Sequence, residues 1–472
     1  MMEKNKMLFL HYIITFLLCF FFRFLPPFAQ ITPYGMGILG TFIGAIYGWS
    51  TIGMVWPSFM ALTGIGLTVG MGSMIAAGFN MTIIAMIFVF LLMAVMEETG
   101  ATTWLVNSIL SSKATLGKPW LTLGLLFFAG YIGGVLNSMV MAVIFVGLFT
   151  NVCQQLNIEP YTKLPTFMMI GLAFSLLMGQ IGIPVMGNGL MLIAAYNAMF
   201  PDPLNFGKYM LFLIPMGLLL IVLYVLMMRF IFRVDVTPLK DLDPSSLGEH
   251  QKINRDKTLA LGFFVIYMVL VVMSSLSALG PVYTFLSKFG MFGIIAMVIC
   301  VMMLLKREDG KPFLNFHYSA AKIGWDPVLM VAFIMVISTY MNTPETGISA
   351  TLMALINPFT QLPPVVFIVV ALLFAALLTN VATNLIVVVL VMPVLYSFAT
   401  LVGMSTTGVM CLLFICSHLA ICTPAAAPPT GICMTATKII KPKTMMKYAC
   451  LVLPLLFILA LLIGIPYSNI IF

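Results

Sequence analysis

Again and again the chain runs for about twenty residues with almost no charge, as in 211–232, 258–275, 289–305 and 445–465. A helix of roughly 20 apolar residues is what it takes to cross about 30 Å of hydrocarbon. In that solvent every backbone group must be paired internally, so helices are the structure such segments can adopt. Composition leaves no soluble alternative: 62% of the 472 residues are hydrophobic and 8% are charged, too few polar side chains to wrap a core of this size. The expected fold is therefore an all-α polytopic membrane protein of about eleven transmembrane helices. The first run, 7–22, is followed by Arg23 and Pro26-Pro27 with no small-residue cleavage site, which reads as a retained span rather than a signal peptide.

The formal net charge of +8 does not indicate nucleic acid, because the basic residues gather at helix ends. The eight cysteines show neither CxxC spacing nor a paired extracellular framework and read as small apolar fillers. Regular helices are expected near 7–22, 35–50, 53–70, 81–98, 207–232, 258–276, 289–305, 325–341 and 445–466. Segments 119–151, 164–198, 363–397 and 405–440 are less regular. If 119–151 and 363–397 are re-entrant hairpins and the N-terminus is cytoplasmic, all 22 lysines and arginines but Arg23, Lys208 and Lys288 fall on the cytoplasmic side. Counting either hairpin as one crossing would mix the charges. The same topology places the C-terminus outside the cell membrane.

The one long hydrophilic segment, 233–257, divides the chain near its middle and invites a search for a repeat. "EETGATTWLVNSI" (97–109) is echoed by "PETGISATLMALI" (344–356), and "GVLNSMVMAVIF" (134–145) by "LLTNVATNLIVV" (377–388). "GQIGIPVMGNG" (179–189) then pairs with "TPAAAPPTG" (423–431), and Pro215 stands opposite Pro454. The expected domains are a first span in 1–34, a first repeat in 35–232 and a second in 258–472, joined by the linker 233–257. Each repeat holds a hairpin (119–151, 363–397) and a broken helix (164–198, 405–440), and the topology makes the two copies inverted.

Irregular backbone at membrane depth persists only where protein or a water-filled cavity shelters it. Glycine and proline interruptions therefore mark a site, with free N–H groups for an anion and free carbonyls for a cation. Asn and Ser/Thr inside spans commonly serve as interhelical glue worth about 1 kcal/mol or less. Asn137 and Asn380 recur at matched places beside matched breaks, which glue alone does not require.

These residues resemble the divalent anion/sodium symporter family, the sodium–dicarboxylate and citrate carriers of the ion transporter superfamily. That family carries Ser-Asn-Thr at both hairpin tips and a Gly-Thr-Pro-Pro-Asn-like break after each. Here the tips read Leu136-Asn137-Ser138 and Thr379-Asn380-Val381, and the breaks Gly187-Asn188-Gly189 and Ala427-Pro428-Pro429-Thr430. The resemblance implies substrate contacts from Asn137, Ser138, Asn380, Val381, Gly187, Pro428 and Pro429. It implies sodium held by Asn137, Leu136 and Met186 in one repeat and by Asn380, Thr379 and Ala426 in the other. Positions where the family has hydroxyls, five residues before each asparagine, are Ile132 and Ala375, so sodium affinity is expected to be low. A homodimer with an elevator-like movement of the hairpin domain is also implied by the resemblance.

Among titratable groups, His418 lies deep in a span near a break and is either a packing partner or a proton-sensitive, substrate-facing residue. Glu97, Glu98, Asp326 and Glu345 all fall near span ends, with Glu345 the acid to test for proton coupling. An enzyme is not expected: there is no HExxH helix, and His11, His250, His317 and His418 are scattered. The expectation is a secondary transporter of a small organic anion, di- or tricarboxylate-like, by sodium symport, with no cofactor beyond Na+. The alternatives are proton-coupled or exchange transport, or a cation/proton antiporter of the same superfamily.

Overall fold

The computed structural model describes residues 2–110, 117–184, 187–242, 253–274, 276, 279–341, 343–361 and 363–472. Among them, nine helices are long and apolar enough to span a membrane, or ten if the bent pair Ile348–Phe359 and Pro364–Leu378 counts as one. No strand occurs among the described residues beyond a single bridge between Lys306 and Pro312. The all-helical membrane class read from hydropathy is the observed one.

The chain opens with helices Met2–Phe21, Pro33–Thr51, Val55–Val69, Met71–Gly78 and Met81–Glu98. Thr32 caps the second of these by accepting from the Gly35 N–H at 3.1 Å, and Asn80 caps the fifth through Thr82 N at 3.0 Å. Gly40, Gly44 and Gly48 let the first helix and the 55–69 helix press against Pro33–Thr51. A Cβ at these positions would come within 2.3 Å of Phe22, 2.6 Å of Cys19 and 2.6 Å of Pro57. Close approach over small residues is how apolar helices gain contact where lipid supplies no hydrophobic drive. The span expected at 53–70 ends where Gly70 adopts φ +93, and 71–78 continues as a separate helix.

From residue 119 onward one order of elements occurs twice. Pro119–Gln155 is helical on both sides of Asn137, whose φ of −156° and ψ of 95° interrupt it. The chain folds back there: a Cβ on Gly133 would lie 3.0 Å from Met141 Cβ and 3.5 Å from the Phe145 ring. In a continuous helix, residues eight apart are separated by about 12 Å. The counterpart is Pro364–Leu378 and Asn384–Leu401, whose Phe367 and Phe398 rings stack at 3.9 Å across the two arms. Each hairpin is followed by a broken helix, Lys163–Gly182 with Gly187–Met199 and Thr406–Ser417 with Pro428–Met434. Each broken helix is followed by a long helix with an interior proline, Pro215 in Phe206–Phe230 and Pro454 in Pro442–Ile471.

Lys163–Gly182 is enclosed along almost its whole length and forms the centre of the molecule. The first hairpin lies on it backbone to backbone. A Cβ on Gly134 would fall 2.1 Å from the Leu176 carbonyl oxygen, and one on Gly179 would fall 2.0 Å from that of Tyr131. Ahead of the second hairpin run Arg255–Met273, Pro281–Leu304, Phe316–Ala321 and Trp325–Met341. The last is buried against Val55–Val69, Met71–Gly78 and Gly187–Met199. Most of the hydrophilic linker, 243–252, lies outside the described residues.

Candidate functional site

A cavity of about 490 Å³ is bounded by both hairpin tips and both helix breaks. Leu136, Asn137 and Ser138 come from the first tip, Thr383 and Asn384 from the second. Gly187 and Asn188 come from the first break, Ala426, Ala427 and Pro428 from the second. Phe90, Met93 and Glu97 close one side, and Lys322, Asp326 and Met330 another.

At the first tip Asn137 does two things at once. Its Oδ1 accepts from the Val140 N–H at 3.2 Å, capping the second arm of the hairpin, while its Nδ2 donates to the Glu97 carboxylate. Ser138, buried beside it, accepts from Gln180 Nε2. The Gln180 side-chain oxygen accepts from Asn188 Nδ2 at 2.8 Å, and the same Nδ2 stands 3.2 Å from His418 Nε2. His418 Nδ1 is 2.8 Å from the Phe414 carbonyl, which can only accept, so the proton belongs on Nδ1 and Nε2 is left to accept from Asn188. A polar chain thus runs from the first hairpin tip through the first break to the second broken helix, with Asn188 donating in both directions. His418 is fully enclosed and meets the cavity only through Asn188.

The second tip is organised differently. Asn380 Nδ2 donates to the Ala376 and Leu419 carbonyls at 2.8 and 3.1 Å, and its Oδ1 accepts from the Cys422 N–H at 2.8 Å. Thr423 donates to the Asn380 carbonyl at 2.5 Å, and Thr379 to the Ser417 carbonyl at 2.6 Å. These bonds hold the unwound stretch after Ser417 against the hairpin tip. The amide that faces the cavity from this repeat is that of Asn384, not Asn380.

Of the residues singled out in the sequence, the cavity therefore gathers Leu136, Asn137, Ser138, Gly187, Ala426 and Pro428. Thr379, Asn380 and Pro429 are buried behind it, and Val381 is 77% exposed on the outer side of the tip. Met186 lies outside the described residues. Glu345 is exposed on the turn 344–346, where its carbonyl accepts from Thr32 Oγ1 at 2.6 Å, away from the cavity.

Glu97, Gln180, Asn188 and Asn384 enter the site from structure. Gln180 stands out in sequence as a polar side chain two residues before Gly182-Ile183-Pro184, and Asn384 as the second asparagine of the tip. Glu97 carries no such signal, because it looks like any acid at a span end. Its neighbour Glu98 is such an acid, paired with Arg307 at 2.5 Å and 3.3 Å from Ser319 Oγ. Among the described residues, no group of three or more His, Cys, Asp or Glu could hold a metal ion. Oxygen donors suited to a small hard cation are present at the first tip in Glu97, Asn137 and Ser138.

Residues 39–314 match the sequence model of the citrate transporter family. The chain is similar to the sodium-dependent dicarboxylate transporter SdcS of Staphylococcus saprophyticus, with 20% identity over 367 residues, covering 74% of this chain and 69% of that protein. Its fold is similar to the crystal structure of the YdaH transporter of Alcanivorax borkumensis. There the TM-score is 0.52 and identity 16%, over 84% of this chain and 86% of the other.

Proposed function

The chain belongs to the citrate transporter family, and from that premise we propose that it is a secondary carrier of a small di- or tricarboxylate-like anion, moved by alternating access together with a cation. The observation that carries this is the single cavity closed by both hairpin tips and both helix breaks. Its volume falls within the range of about 300–1,000 Å³ common for small-molecule sites. Side chains of Ser138 and Thr383 offer hydroxyl donors, and that of Asn384 an amide donor, to carboxylate oxygens. Asn137 and Ser138 stay in the proposed site. Asn380, Thr379 and Pro429 act on it from behind by fixing the second break.

The twofold order of hairpin, broken helix and proline-bearing helix supports an inverted repeat, with 35–232 and 258–472 as its copies and the hairpins re-entrant. The charge asymmetry supports a cytoplasmic N-terminus and an external C-terminus. With exposed Cys300 and Cys450 replaced, an impermeant thiol label should reach Asp309→Cys only from the cytoplasmic side and Asp202→Cys only from outside. Reversed labelling contradicts the topology. Sodium is the first candidate for the coupling cation, by likeness to the dicarboxylate transporter, and a proton is the second, favoured by Glu97 in the cavity wall. Thermal unfolding of the purified chain against a panel of carboxylates, in sodium and in choline, tests the substrate class. Stabilisation by citrate or a dicarboxylate is expected, and stabilisation by none of them contradicts the proposal.

A further inference from the structure

We propose that Asn188 recognises a hydroxyl group on the anion: its side-chain oxygen, aimed by His418, accepts from that hydroxyl, so that the cavity prefers hydroxylated carboxylates to their plain counterparts. The inference rests on the anion-carrier reading above and narrows its substrate class.

An asparagine amide can present either end, and its neighbours settle which end Asn188 presents. The Phe414 carbonyl only accepts, so His418 Nδ1, 2.8 Å from it, holds the ring proton and Nε2 is bare. A second ring proton would place a cation in a fully enclosed position with no carboxylate among its hydrogen-bond partners, which is too costly to persist. The end of Asn188 that stands 3.2 Å from that bare nitrogen is therefore its NH2. The other hydrogen of the same NH2 goes to the Gln180 side-chain oxygen at 2.8 Å. Gln180 is oriented in turn by its own NH2, which donates to Ser138. Both amide hydrogens of Asn188 are thus committed to protein. Its oxygen accepts from no group among the described residues and is not one of the enclosed unpaired polar atoms, so it faces the open space of the cavity that Asn188 lines. The backbone beneath is equally constrained. Gly187 turns at φ +51°, and a Cβ on Gly189 would fall 2.1 Å from the Ile183 carbonyl oxygen.

An ionised carboxylate only accepts, so it cannot satisfy such an oxygen. For carboxylates the cavity has the Ser138 hydroxyl and that of Thr383, whose Oγ1 is enclosed and unpaired. A fixed acceptor on the same wall as these donors calls for a ligand that carries a donor besides its carboxylates. A hydroxyl is the neutral group that does this without adding charge. Of the acids on the wall, Glu97 already accepts from Asn137, and Asp326 is exposed. His418 is a positioning residue here: it is buried behind Asn188, and without its bare nitrogen nothing holds the NH2 away from the cavity.

The test measures binding to the purified full-length protein in detergent, in sodium at pH 6.5, of two pairs that differ by one hydroxyl. The pairs are malate against succinate and citrate against tricarballylate. One net hydrogen bond is worth roughly two- to tenfold in affinity, so in each pair that binds the wild type should hold the hydroxylated member at least about fivefold more tightly. Asn188→Ala and, independently, His418→Phe should each cut that ratio to less than half. Had Asn188 served only to tie the two broken helices together, either variant would weaken both members of a pair alike and leave the ratio unchanged. Melting temperatures identify which variants are folded, and either folded variant decides. The inference is overturned if the wild type discriminates by less than about fivefold, or if a folded variant keeps more than half of the wild-type ratio. It is also overturned if aspartate, with an ammonium in place of the hydroxyl, binds more tightly than malate. Equal binding within the pairs leaves the anion-carrier reading standing, whereas binding of none of the four anions contradicts that reading and the inference with it.

Discussion

Asn137 and Asn380 occupy matched places in the sequence but do different work. Asn380 spends both amide hydrogens and its oxygen on backbone groups, so its removal leaves Leu419 O and Cys422 N unpaired in a buried segment. An unsatisfied buried group costs about 1–3 kcal/mol. Asn380→Ala should therefore lower the melting temperature markedly, and anion binding should fall as a consequence of the disturbed second break. Asn137→Ala removes a cavity amide and one cap of about 1 kcal/mol. It should weaken citrate binding at least tenfold with a smaller loss of thermal stability. Parallel unfolding and binding measurements check this; equal profiles for the two variants would count against the assignment. Which asparagine of the second tip faces the cavity was not legible in sequence. Asn380 and Asn384 are both polar residues of one short turn, both buried, and the tertiary fold alone turns one toward backbone and sets the other on the cavity wall. Glu97 was illegible for a similar reason: nothing local separates it from Glu98, and only the return of the first hairpin brings Asn137 to it.

The hairpins and broken helices, by contrast, were readable as elements, because polar or glycine and proline residues inside an apolar run have few physical explanations. Asn137 in the middle of 37 helical residues and the proline-rich 424–429 stretch are such places. What the pattern could not convey is how tightly these elements meet. Gly134 and Gly179 set that distance, and neither position has room for a methyl group. Gly134→Ala should push the first hairpin off Lys163–Gly182 and sharply reduce the yield of monodisperse protein. Gly147, in the same hairpin, has open space around it, so Gly147→Ala should be neutral or stabilise the helix by about 0.5–1 kcal/mol. Size-exclusion profiles and melting temperatures of the pair check this. Comparable behaviour of the two variants would mean that the backbone contact does not hold the hairpin.

For the whole molecule, the hydropathy of the chain dictated helices and a membrane, and the segments expected to be irregular are the ones that border the cavity. The cavity at that place is reached from four irregular segments, two from each half, which is the geometry expected of one central site served alternately from both sides. A channel would need no such single central site. Counterflow separates the two most directly: proteoliposomes loaded with unlabelled citrate are diluted into a trace of radiolabelled citrate, with equal sodium and pH on both sides. The account predicts a transient accumulation of label above equilibrium that vanishes without internal citrate. Uptake that rises only to equilibrium, at the same rate with and without internal citrate, would contradict it.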